Sequence, residues 1–298
     1  MDGIIPLWKP KGLTSHDCVF KIRKIVKMKK VGHTGTLDPD VEGVLPICLG
    51  RATKIAEYIT DAGKVYEGEV TLGYSTTTED ASGEKVAEKH VEKEISLQEV
   101  KQALDALTGE ITQIPPMYSA VKVKGKKLYE YARAGIEVER PARQVHIYEL
   151  TLLDTAITNE NGLASFRFRV HCSKGTYIRT LAVMLGEILG YPAHMSKLVR
   201  TASATFTADD CVTFTELENT DTIETFVYPL EKGIFHLPQF QLDEILAKKV
   251  QNGMVLDIPM DWPSGHVAMK HQGEVIAIYQ THPEKHGMIK PVKVLKID

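Results

Sequence analysis

Asp38 stands in the run Gly32-His33-Thr34-Gly35-Thr36-Leu37-Asp38-Pro39, which continues to Gly43-Val44-Leu45-Pro46. It is a lone carboxylate among glycines, small hydroxyl residues and prolines. The proline after it disfavours the α region for Asp38 and pushes it toward extended backbone. The glycines permit turns and close backbone approach that other residues resist. The pattern predicts a stiff, exposed platform aiming one acid at a substrate; the competing reading is an ordinary Asp-Pro turn. No second acid motif accompanies Asp38. No His/Cys ligand spacing and no phosphate-cradling loop is present. Its chemistry is therefore expected to need neither metal nor added cofactor.

Several elements must position this acid. Residues 17–28 carry Val19, Ile22, Ile25 and Val26 at helical spacing with basic residues between them, so a basic amphipathic helix is expected to lead into the Asp38 loop. Residues 65–72 alternate, with Tyr66, Gly68, Val70 and Leu72 on one face, which predicts a half-buried strand. Ser96-Leu97-Gln98-Glu99 is a capping box that opens a helix over Leu97, Val100, Leu104 and Leu107, stopped near Gly109. Phe166, Phe168, Val170 and Cys172 alternate in a further strand. That strand runs through Ser173-Lys174-Gly175-Thr176-Tyr177-Ile178-Arg179 into a helix marked by Leu181, Met184, Leu185 and Ile188. Residues 145–153, 275–279 and 292–297 add strands. The expected class is α+β, with a mixed, mainly antiparallel sheet, helices and a small β-rich carboxy-terminal domain. The boundary is placed near residue 232, giving domains 1–232 and 233–298.

The chain of 298 residues is 43% hydrophobic and 25% charged, as expected of a globular protein with a sizeable core. Its amino terminus lacks the apolar run of a secretory signal. No stretch approaches the length that spans a bilayer. The four cysteines form no Cys-x-x-Cys pair. A cytoplasmic location without membrane partners is expected. Net charge is −3, yet residues 21–30 hold six basic residues and no acid, and residues 119–147 are also rich in lysine and arginine. Acids gather at 79–99 and 209–224. Such segregation can give a weakly acidic protein a positive face for a polyanion, and local potential governs that capture more than net charge.

Further runs complete a pattern: Lys9-Pro10-Lys11-Gly12-Leu13-Thr14-Ser15, Leu45-Pro46-Ile47-Cys48-Leu49-Gly50-Arg51-Ala52-Thr53-Lys54, Lys64-Val65-Tyr66, Thr78-Glu79-Asp80-Ala81-Ser82-Gly83, Gln113-Ile114-Pro115-Pro116-Met117-Tyr118-Ser119-Ala120 and Lys174-Gly175-Thr176-Tyr177-Ile178-Arg179-Thr180. In this order, with the Asp38 loop, they resemble the TruB family of tRNA pseudouridine synthases over residues 3 to about 200, and more weakly beyond. The resemblance implies an isomerase that converts uridine 55 in the T loop of tRNA, using a catalytic aspartate and base flipping. It implies no metal, no cofactor and no obligate protein partner, and a monomer is the default. Asp38 matches the catalytic aspartate and Arg179 the arginine that pairs with it. Tyr66 matches the tyrosine that stacks on uracil, His33 the residue that pushes into the RNA, and Tyr177 and Leu198 pocket-lining positions. Lys9 and Lys11 resemble amino-terminal helper lysines and are expected RNA-backbone contacts. Residues 119–147 match a mobile insertion that closes over RNA, with Lys122, Lys124, Lys126, Lys127 and Arg143 as expected backbone contacts. The carboxy-terminal segment resembles a PUA RNA-binding domain, with Asn252-Gly253 as its local cue.

Two other readings stand beside this one. The chain could be the catalytic subunit of a guide-RNA-dependent pseudouridylation complex, or an RNA-binding or RNA-folding protein with incidental catalytic residues. The basic insertion favours the stand-alone enzyme over the first, and the filled catalytic positions disfavour the second.

Overall fold

The computed structural model describes residues 1–296. The chain divides into two compact units, one formed by residues 1–62 with 203–298 and the other by residues 63–202. The class is α+β, with ladders that are mainly antiparallel. No helix among the described residues is long and apolar enough to cross a membrane.

In the first unit, strand Gly3–Lys9 pairs antiparallel with Glu42–Leu49, from Gly3 opposite Leu49 to Lys9 opposite Gly43. Strand Val31–His33 pairs with the same partner and delivers the chain to the Asp38 loop. Helix Ser15–Ile25 opens on a capping box in which Thr14 and Asp17 satisfy each other's backbone N–H groups. It buries Cys18, Val19 and Ile22 against Ile5, Leu7, Leu45 and Ile47. The helix stops short of the expected residue 28 because Lys27 takes a left-handed φ of 52°, which breaks the helical run.

The carboxy-terminal part of this unit is a five-stranded sheet in the order Gln239–Gln241, Val267–His271, Glu274–Thr281, Met288–Val294 and Leu256–Asp257. Helix Glu244–Gln251 covers one face, where Val250 packs with Met269, Ile276 and Tyr279. The other face sends Ala268, Val275 and Ile278 into a cluster with Ile4, Val44 and Ile55. The boundary expected near residue 232 therefore falls inside this unit. A shared core joins the two ends of the chain. The strand expected over 292–297 is observed as Met288–Val294, and Ile297 lies outside the described residues.

In the second unit the strands lie in the order Ala193–Ser203, Lys64–Leu72, Leu163–Cys172, Arg143–Leu152 and Gly109–Gln113. Lys64–Leu72 pairs with Leu163–Cys172 along its whole length, Tyr66 opposite Val170. Helix Leu97–Ala106 begins at the expected capping box, with Ser96 accepting from the Glu99 N–H. Helix Ile178–Leu189 buries Leu181, Ala182 and Leu185 and ends at Gly190, whose φ of 81° only glycine adopts without strain.

The shared core of the first unit makes its two ends one cooperative body. The chain has two tryptophans. Trp8 packs against the cluster common to both ends, and Trp262 against the cluster under the carboxy-terminal helix. Urea unfolding followed by fluorescence of Trp8→Phe and of Trp262→Phe, each corrected to its own stability, is expected to give coincident transitions with a second probe, circular dichroism. Ile278→Ala should lower both by about 2–5 kcal/mol.

Candidate active site

The Asp38 loop has little regular hydrogen bonding of its own, and side chains from elsewhere hold it. Ser15, the first residue of its helix, accepts at Oγ from the Leu37 N–H at 2.9 Å. Gly12 N–H donates to Pro39 O, and Val41 N–H closes a turn onto Asp38 O. Lys9 Nζ donates to Pro10 O at 2.9 Å, Pro39 O at 3.1 Å and Val41 O at 2.6 Å. Leu37 and Val41 are buried on either side as apolar anchors, and Thr34 donates from its hydroxyl to Pro46 O.

Two expectations are corrected here. Asp38 is half-buried, not a fully exposed platform, because Leu37 and Val41 draw the loop inward while Pro39 and Asp40 stay out. Lys9 has no exposed surface, so its ammonium is a strut of the loop and not a phosphate contact. Lys11 is exposed in the turn that follows. His33 is half-buried, and its Nδ1 accepts from the Gly35 N–H at 3.2 Å. That bond fixes the ring's orientation and leaves Nε2 as the protonated nitrogen of the neutral form.

Tyr66, Tyr177, Arg179 and Leu198 belong to the second unit. Tyr66 is 7% exposed, on the inward face of its strand as the alternation predicts. Gly68 shares that face, two residues on. A Cβ at Gly68 would lie 2.7 Å from Phe168 Cζ and 3.2 Å from Leu198 Cδ1. The gap left by a missing side chain thus lets Phe168 and Leu198 close over Gly68, two residues along the strand from Tyr66.

Tyr177 is the N-cap residue of helix Ile178–Leu189. Its N–H donates to Gln113 Oε1 at 2.9 Å and its carbonyl accepts from Gln113 Nε2 at 3.2 Å. Gln113 has no exposed surface, so both halves of its amide are spent on one residue's backbone. Arg143 lies with its guanidinium carbon 5.8 Å from the Tyr177 ring centroid. The aromatic face thereby acquires a cation.

Arg179 is 6% exposed in the first turn of the same helix, where the backbone dipole disfavours a cation. It donates to Thr78 O at 3.1 Å and to Tyr118 O at 2.9 Å. The Thr180 hydroxyl donates to Glu79 Oε2 at 2.8 Å. Burial pushes the Glu79 carboxyl up from its ordinary value, against the opposing pull of Thr180 and of Arg179 and Arg140. Glu79 also holds a left-handed φ of 64°, a strained backbone for a residue of its kind. A half-buried acid in a strained turn therefore backs the element that carries Arg179.

In the basic insertion, Lys122–Val123 and Lys126–Lys127 form a two-stranded hairpin closed by Lys124-Gly125, both with positive φ. Lys122, Lys124 and Lys126 are exposed and make no ion pair among the described residues. Lys127 is half-buried beside Tyr129.

The sequence reading missed Gln113, Gly68 and Glu79. Gln113 opens one of the runs that carry the family resemblance, but its partner is 64 residues away. Gly68 was placed on the correct face without its steric reason. Glu79 carried a signal only as an acid next to Asp80.

Two outcomes follow from this geometry. The folded state holds the Glu79 proton more tightly than the unfolded chain does. Stability should therefore fall as pH rises from about 4.5 through the raised pKa of Glu79. Glu79→Gln keeps an oxygen for Thr180 and removes this slope, so its Tm relative to the parent should increase between pH 4 and pH 7. A constant difference across that range would contradict the assignment. Lys9→Met leaves three loop carbonyls, that of Val41 buried, without their donor and should destabilise the protein by on the order of 3 kcal/mol, measured by urea unfolding.

Comparison with known proteins places the chain. Residues 23–178 match the TruB family pseudouridylate synthase (N terminal domain), and residues 179–234 match the tRNA pseudouridylate synthase B C-terminal domain. The tRNA pseudouridine synthase B of Listeria innocua serovar 6a is 59% identical, covering 100% of this chain and 99% of its own. The protein of the same name from Bacillus thuringiensis (strain Al Hakam) is 56% identical, covering 99% and 97%. Among solved structures, a chain of a Cbf5-Nop10-Gar1 complex superposes with a TM-score of 0.74 at 28% identity, covering 99% of this chain and 85% of that one. With this family match over most of its length and this identity end to end, the chain belongs to the TruB family of pseudouridine synthases.

Proposed function

We propose that this TruB family enzyme isomerises uridine 55 in the T loop of tRNA to pseudouridine, with Asp38 as the catalytic carboxylate. The observation that carries the reading is the Asp38 loop itself. One half-buried acid is clamped by Lys9 and Ser15 in a chain of this family. The reaction breaks the bond between C1′ and N1, turns the uracil, and forms a bond from C1′ to C5. C5 loses its hydrogen to solvent, N1 regains one, and nothing is oxidised or reduced. A carboxylate acting on the nucleoside and a pocket that retains the free base suffice.

Tyr66 supplies the stacking surface for the uracil, with Leu198 and Tyr177 lining the pocket. Arg179 is the cation the family sets against the catalytic aspartate, and a desolvated carboxylate stays ionised only with such compensation. A base buried in a stack cannot reach the acid, and extruding it costs a few kcal/mol. His33, its ring oriented by Gly35, is assigned to the space the nucleotide leaves. Lys11, Lys122, Lys124, Lys126, Lys127 and Arg143 meet backbone phosphates, which position an RNA without reading its sequence. The carboxy-terminal segment 233–298 serves as a PUA-like RNA-binding domain, and the enzyme works as a cytoplasmic monomer. A guide-RNA-dependent role is supported less: identity to the Cbf5 chain is 28%, against 59% to a tRNA pseudouridine synthase B.

The test is release of tritium from a T-arm stem-loop labelled at C5 of the target uridine. Wild type is expected to turn over. Asp38→Asn keeps the size and removes the charge, so turnover should be lost while RNA affinity stays within about threefold. Residual turnover within tenfold of wild type, about 1.4 kcal/mol of barrier, would remove Asp38 from this role.

A further inference from the structure

The helix that bolts onto the Asp38 loop has an outward face that catalysis leaves unused. Its buried residues, Ser15, Cys18, Val19 and Ile22, define the inward side. His16, Phe20 and Lys24 follow one another at helical spacing on the other side, and Lys27 comes just past the helix end. Phe20 is 49% exposed, a large apolar ring on a surface rich in basic residues. It does not lie loose: the His16 ring meets it edge-on at 4.6 Å, and the Arg23 guanidinium carbon stands 5.5 Å from its centroid. Arg23 is itself anchored by donating to Val31 O at 3.0 Å. The aromatic is held in place and half its surface is open.

The charge beside it is unspent. Lys21 pairs with Glu218 at 3.0 Å and lies over the Phe214 ring, which occupies that flank. Lys24, Lys27, Lys29 and Lys30 are exposed and make no ion pair among the described residues. An open groove of about 400 Å³ runs beside Phe20, lined by Leu13 and Ile25 with Lys24, and also by Asp17, Lys21 and Glu218, the last two paired with each other. A solvated helix face needs the lysines and has no use for a fixed aromatic ring. A single-stranded or terminal nucleotide uses both, because every base has a π-face and each residue of the strand carries a phosphate. The helix rises about 1.5 Å per residue, so Phe20 lies about 7–8 Å and Lys24 about 13–14 Å along it from Ser15, which holds the loop.

We propose that this face is a second contact surface for the substrate RNA, with a base stacked on Phe20 and backbone phosphates on Lys24, Lys27, Lys29 and Lys30. The proposal rests on the reading of the chain as an RNA pseudouridine synthase. It adds a site outside the pocket and outside the basic insertion. The surface and the Asp38 loop move as one piece, since Ser15 and Leu37 join them. Contact at the helix therefore sets the register of the RNA relative to the acid.

Equilibrium binding of a full-length tRNA transcript, by fluorescence anisotropy from 50 to 200 mM KCl, tests this. K24Q/K27Q/K29Q/K30Q should weaken binding at least tenfold at 100 mM KCl. It should also reduce the slope of log K against log salt by about 3, as expected for four lost phosphate contacts. Phe20→Ala should weaken binding about fivefold or more with the slope unchanged, and Phe20→Trp should restore it. All the substituted positions are exposed, and unchanged circular dichroism melting confirms the fold. Affinities within twofold of wild type and an unaltered slope would overturn the proposal and assign the face to another partner or to solvent. Failure of the underlying reading is distinct: wild type would then release no tritium from the labelled T arm, whatever the helix variants bind.

Discussion

A loop of glycine, proline and small hydroxyl residues can place a carboxylate only if something outside it supplies hydrogen bonds. Two prolines in the Asp38 segment donate nothing, and a free loop of this composition would sample many conformations. The buried ammonium of Lys9 resolves this by taking the carbonyls of Pro10, Pro39 and Val41 together. A lysine without exposed surface is costly unless its donors are satisfied, and here they are satisfied by the loop that needs them. The strand bearing Lys9 is paired along its full length with Glu42–Leu49, so the strut has a rigid base. Ser15 and the helix it opens brace the loop from the other side. The direction of the acid is thus a property of the sheet.

The second unit solves a similar problem by different means. Arg179 sits where a helix dipole opposes it, and its donors are taken up by carbonyls of Thr78 and Tyr118, from two separate loops. Gln113 fixes the backbone two residues before it with a double hydrogen bond, and Glu79 holds the residue after it through Thr180. Preorganisation of this kind spares the reaction the work of ordering its charged groups, which is where much enzymatic rate enhancement originates.

Local periodicity carried much of the fold. The alternation over residues 65–72 placed Tyr66 inward, and the Ser96 capping box marked a helix start to the residue. The end of the first helix escaped prediction because a left-handed lysine leaves no compositional trace. The pairings that build the candidate site were not legible for a physical reason. Lys9 acts across 32 residues, Gln113 across 64 and Arg179 across 101. Such bonds depend on topology, and a lysine near an amino terminus looks the same in sequence whether it faces solvent or a buried carbonyl. Family resemblance supplied names for Asp38, Tyr66 and Arg179, whereas the burial of Lys9 came only from the fold.

The first unit is made from both ends of the chain, with the second unit's 140-residue span between them. During synthesis Ala268, Val275 and Ile278 are made more than 200 residues after Ile4 and Val44, whose cluster they share. At ribosomal speeds of about 5–20 residues per second, the amino-terminal strands wait roughly 10–45 s for these partners. The intervening unit has all its own strands in hand before then. The loop that carries Asp38 thus belongs to a unit that is completed only after the second unit has been made, and the nascent chain acquires that shared core late.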